Sequence, residues 1–140
     1  MAKKGLAAST GDPWSARTIT APHSSEYRRR FNEAMGAHGG AMDSATLDNV
    51  FAAQCIKDDT MAESIADAIK SLPEGAPTPQ VIHWNGRFHS DYGLGTVERL
   101  KSRLPHLNIA VVSMIERRPS AMNPLTEDEL DQGHFLILTE

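Results

Sequence analysis

Apolar residues first recur at helical spacing within SSEYRRRFNEAM, where Tyr27, Phe31, Ala34 and Met35 fall three and four positions apart. Ser24 or Ser25 can cap the free N–H groups, Glu26 sits in the positive first turn, and Gly36 offers a stop. A longer stripe runs from about Thr46 to Ser71 through Leu47, Phe51, Cys55, Met61, Ile65 and Ile69, with Leu72 just beyond. Asp58 falls inside that stripe, and a carboxylate there is costly unless it is paired or faces a cavity. Gln54 lies one turn earlier, so the two side chains can share a face. Pro73 and the segment PEGAPTP end the helix.

The period then changes. QVIHWN reads as a short buried strand and GRFHSDYGLG as a glycine-rich loop. Leu94, Val97, Leu100 and Leu104 mark a short amphipathic helix that Pro105 stops. NIAVVSMI is an almost continuous apolar run, which predicts a strand covered on both faces. Strand, helix and strand in this order predict a right-handed βαβ unit with parallel strands. HFLILT supplies a final strand. The expected class is α/β, a small and mainly parallel sheet flanked by helices. Residues 1–22 lack sustained periodicity and read as a flexible lead-in, with a short extended piece at Arg17–Thr20.

Composition narrows the function classes. The 140 residues carry a single cysteine, Cys55, which excludes an internal disulfide and a Cys-rich zinc site. Fourteen basic against eighteen acidic residues give a net charge of −4, which argues against nucleic-acid binding by general phosphate attraction. No window offers the ~20 consecutive apolar residues of a membrane span. The start, MAKKGLAASTGDPW, has no apolar stretch of the signal-peptide type, so the chain as written is expected in the cytoplasm.

Chemistry concentrates in residues 81–96. Ligands of open α/β sheets bind beyond the carboxyl ends of the strands, and this loop occupies that position with His83, Arg87, His89, Asp91 and Tyr92. Gly86 permits a sharp exit from the strand, while Gly93 and Gly95 allow close backbone approach before the next helix. GLGTVE lacks the third glycine of a dinucleotide fingerprint, and neither a Walker-type GKS nor a G-x-S-x-G elbow is present. The six-residue spacing of His83 and His89 fits no familiar zinc pattern. Arg28, Arg29 and Arg30 are consecutive and so fan around their helix, which favours a solvated face over a phosphate or carboxylate site.

These residues carry a resemblance. Gly86-Arg87-Phe88-His89 followed by Asp91-Tyr92-Gly93 resembles the C-terminal G-x-x-H motif of ChaN-like haem-binding uptake proteins, of the Tiki/TraB/erythromycin-esterase superfamily. Ala53-Gln54, then Asp58, Met61 and Ala62, resembles that family's helix motif. YRRRF and the closing HFLILT follow in family order, so the resemblance runs from about Ser25 to Thr139. Family members usually carry an earlier half with a Gly-Glu-x-His motif, and residues 1–24 do not supply it. The resemblance thus implies a single partial domain over residues 23–140, similar to the C-terminal half of a ChaN-like fold. A sheet of about three strands would leave open edges, which invite a homodimer or the missing N-terminal half as partner.

Two functions follow from the resemblance. The favoured one is a haem- or iron-binding protein without catalysis, serving haem or iron uptake. His89 and Tyr92 are then the axial candidates, Arg87 meets a propionate, and Gly86 and Asp58 are neighbours. Tyr27 is a second phenol, although its place in an apolar stripe favours packing. The alternative is a metal-dependent hydrolase of the Tiki type, with His89 ligating a divalent metal ion beside Asp58. A non-catalytic fragment that needs its partner half is the third possibility. Family members are often exported or membrane-anchored.

Overall fold

The computed structural model describes residues 15–19, 24–37, 43–73, 75, 80–117 and 124–140. Helix α1 (Ser25–Ala37) begins where Ser24 Oγ accepts the Tyr27 N–H at 3.1 Å. Helix α2 (Ser44–Lys70) begins two residues earlier than the apolar stripe predicts, because Asp43 caps it through the Thr46 N–H at 2.9 Å. A loop with two short 3-10 turns, Arg87–His89 and Asp91–Gly93, leads into α3 (Thr96–Arg103). Strand β1 (Val112–Glu116), helix α4 (Glu127–Leu130) and strand β2 (Phe135–Thr139) complete the described chain. Thr126 and Glu129 form a reciprocal capping box at the start of α4.

β1 and β2 pair in parallel, with Val112 opposite Phe135 and Met114 opposite Ile137. This confirms an α/β fold with a small parallel sheet. It also corrects two expectations. QVIHWN is no strand: residues 80–86 carry no regular structure, with Ile82 78% and Trp84 82% exposed. A β-rich sequence forms a strand only beside a neighbour that accepts its hydrogen bonds, and none does so among the described residues. β1 in turn is covered on one face only. Ser113 and Ile115 are buried, whereas Val112, Met114, Phe135 and Ile137 stand outward together. The parallel partner of β1 is therefore β2 rather than the segment before α3.

The core has two parts. Tyr27, Phe31, Phe51, Cys55 and Leu94 join α1, α2 and the loop, with the Phe31 and Phe51 rings 4.9 Å apart. Ala62, Ala66 and Leu100 join α2 to α3. Between them, Asp59 is buried and takes Arg99 Nε at 3.2 Å and Arg103 Nη1 at 2.9 Å. Ser15–Ile19 lies along α2: the Ala16 N–H reaches Thr60 Oγ1 at 3.1 Å, and Arg17 pairs with Glu63 and Asp67. Arg103 Nη2 donates to the Thr18 carbonyl at 2.6 Å. Among the described residues, no helix is long and apolar enough to cross a membrane.

Candidate functional site

Asp58 is the centre of a buried polar network. Its carboxylate is 0% exposed, and both oxygens are used. Oδ2 accepts the Tyr27 hydroxyl at 2.6 Å, while Oδ1 accepts Thr96 Oγ1 at 3.1 Å and lies 2.7 Å from His89 Nδ1. A carboxylate only accepts, so Nδ1 of His89 carries a proton and donates it to Asp58. The Gln54 amide donates to the Tyr27 oxygen at 3.3 Å and lies 3.0 Å from His89 Nδ1 and 3.4 Å from its Nε2. Burial, and then the neighbouring Asp58 charge, push the Tyr27 hydroxyl well above the usual phenol range. The same burial raises the Cys55 thiol to about 11.

Backbone geometry closes the network. Gly95 has φ +55°, and a Cβ there would meet the His89 carbonyl at 2.8 Å and Asp58 Oδ1 and the Tyr27 hydroxyl at 3.1 Å each. Only glycine permits that approach. Gly86, by contrast, has φ −65°, a conformation open to any residue, and its carbonyl accepts the His89 N–H at 2.9 Å.

A second cluster surrounds Tyr92. Tyr92 has φ +61°, which is rare for a bulky side chain, and its N–H is held by the Gln132 carbonyl at 2.9 Å. Its hydroxyl donates to Asp128 Oδ2 at 2.8 Å, and the Arg30 guanidinium carbon lies 3.3 Å from its ring centroid. Arg30 also donates to Asp128 Oδ1 at 2.9 Å. Arg87 is anchored by Asp91 at 3.0 Å and Gln132 at 2.7 Å, and Asp91 accepts the Ser113 hydroxyl. Arg30, Arg87, Phe88 and Tyr92 line a cleft of about 360 Å³ between α1 and the loop.

Asp58 and His89, named from the sequence, thus meet directly. Tyr92 and Arg87 share the cleft, which His89 does not line. Sequence reasoning missed Thr96, Arg30, Asp128 and Gln132 as partners, and named Tyr27 as a second phenol while favouring packing for it. The sequence did hold one signal for Tyr27: it is the phenol on the stripe that faces α2, where an unpaired Asp58 needed a donor.

Residues 1–100 match the protein family described as haem-binding uptake, Tiki superfamily, ChaN. The chain belongs to that family. The match takes in both ChaN-like motifs, Ala53 to Ala62 and Gly86 to Gly93, together with the residues before Ser25. It ends within α3, so the resemblance expected as far as Thr139 is matched only to residue 100, ahead of both strands. No curated protein and no solved structure matches the chain.

Proposed function

We propose that this chain binds haem, as a binding protein rather than a catalyst, in the cleft between α1 and residues 87–94. The observation that carries the reading is the convergence of the Tyr92 phenol, two guanidinium groups and the Phe88 ring on one cleft. That donor set fits the group. Ferric haem accepts a tyrosine oxygen as axial ligand, its propionates pair with arginine, and its ring needs apolar or aromatic cover. Tyr92 would hold the iron, Arg30 and Arg87 would meet the carboxylates, and Phe88 would lie against the porphyrin. When bound, haem supplies an iron centre with a strong visible absorption. The network of Asp58, His89 and Tyr27 adjoins the cleft, which Tyr27 also lines, and holds the loop from which Arg87, Phe88 and Tyr92 project.

The test is an optical titration of the purified protein with ferric haem. A saturable Soret shift is expected, lost in Tyr92→Phe and retained in weakened form in His89→Ala. An equal shift in the wild type and in Tyr92→Phe would overturn the assignment.

A hydrolase reading draws on a different observation. A carboxylate on Nδ1 of a histidine orients the ring as it does for many metal ligands, and here Nε2 faces the Gln54 amide at 3.4 Å. Catalytic metal sites use about three protein ligands, and no group of three or more His, Cys, Asp or Glu side chains converges among the described residues. The haem reading therefore stands ahead. Metal-dependent turnover abolished by His89→Ala would reverse that order.

A further inference from the structure

The hydroxyl of Tyr92 is already engaged, and its partner comes from the far end of the chain. Asp128 lies in the first turn of α4 and accepts the phenol at 2.8 Å through Oδ2, while its Oδ1 takes Arg30 at 2.9 Å. Arg30 in turn covers the Tyr92 ring and is held by Glu26 at 2.7 Å. The arrangement closes on itself, because one guanidinium holds both the ring and the carboxylate that binds the ring's hydroxyl. We propose that Asp128 is a latch on Tyr92, a positioning residue that keeps the phenol oxygen turned toward α4 until a ligand displaces it.

This inference rests on the haem reading and adds a sign to it. A phenol oxygen that donates to a carboxylate cannot also bind iron through the same position, and a carboxylate beside an iron-bound phenolate is repelled by like charge. The Tyr92–Asp128 bond therefore competes with ligation. Arg30 does the reverse once the latch opens, since its charge favours an anionic oxygen on the ring it covers. Of the other charged groups at the cleft, Arg87 and Asp91 are bound to one another and Glu33 pairs with Arg29, which leaves the contest to Asp128 and Arg30. Asp128 is 62% exposed in its side chain, so replacing it leaves the core intact.

The decisive experiment compares wild type, Asp128→Ala and Tyr92→Phe by two readouts. The first is nitration of the protein without haem by tetranitromethane, followed by peptide mapping. The chain has two tyrosines and Tyr27 is buried, so the reagent reports on Tyr92. The second is titration with ferric haem. The latch predicts faster nitration in Asp128→Ala, together with haem binding about tenfold tighter, the worth of one charge-assisted hydrogen bond. Unchanged nitration, or unchanged affinity with a Soret band that still needs Tyr92, would overturn the latch and leave the haem site standing. Faster nitration in Asp128→Ala with no Tyr92-dependent Soret band in either protein would instead remove the haem reading, and the latch's role in ligand binding with it.

Discussion

At the scale of single residues, Asp58 shows how a costly group becomes a structural centre. An ionised carboxylate without water needs several partners, and Tyr27, His89 and Thr96 provide them from three different parts of the chain. Asp58→Asn keeps the shape but replaces an acceptor oxygen with a donor that opposes one of these groups. It should cost about 2 kcal/mol, measured as a lower urea midpoint with an unchanged slope. Tyr27 gives a pH signature. Its hydroxyl is raised by burial and by Asp58, so its contribution to stability is complete below the ordinary phenol value near ~10 and is lost as pH rises toward the folded value. In an alkaline titration at 295 nm, Tyr27 should ionise only together with loss of the circular dichroism signal. Ionisation of both tyrosines in a protein that stays folded would contradict this account. The sequence exposed Asp58 as an anomaly in an apolar stripe and placed Gln54 beside it. It concealed Tyr27, because a tyrosine satisfies an apolar pattern with its ring while its hydroxyl does something else.

At the scale of elements, the three longer helices were legible, α4 was not foreseen, and the strands were only partly legible. Helical spacing, together with caps such as Ser24 and Asp43, is local information, and α1, α2 and α3 follow it to within a few residues. Even so, the stripe of Met61, Ile65 and Ile69 is not what α2 buries most deeply. Among its apolar residues Ala62 and Ala66 are, since small side chains let α3 approach closely while larger ones pack at the flanks. Strands carry no such local record of their partners. VIHW has the composition of a buried strand and lies exposed, because alternation and β-branching describe a surface suited to pairing without naming who pairs. The turn into α3 is the element on which the network depends most. Gly95→Ala combines a left-handed backbone with an overlap against the His89 carbonyl, and should cost at least about 2 kcal/mol. The check is a thermal midpoint several degrees lower, with a smaller effect from the same change at Gly86.

At the scale of the whole molecule, contacts distant in sequence decide the arrangement, and these were invisible beforehand. Arg30 and Asp128 are separated by 98 positions, and nothing in either local sequence announces the other. The expectation of a small parallel sheet held because apolar β-rich runs flanking helical segments restrict the choices to a few topologies. That β1 would take β2 and leave Val112, Met114, Phe135 and Ile137 outward was not encoded in those runs. The family motifs fall on the two helices and the loop that build the network and the cleft. That is where a local pattern and a spatial site coincide.

The strap along α2 has a practical consequence for anyone handling the protein. Trypsin must draw an arginine side chain into its own acidic pocket before it cuts, and Arg17 is already committed to Glu63 and Asp67 while the Thr18 carbonyl beyond the scissile bond is held by Arg103. Cleavage after Arg17 should therefore be slow at low ionic strength. It should accelerate in ~0.5 M salt, which shortens the reach of exposed charges to a few ångströms. Equal digestion rates in the two buffers would mean that the buried Ala16, rather than charge, keeps the strap in place.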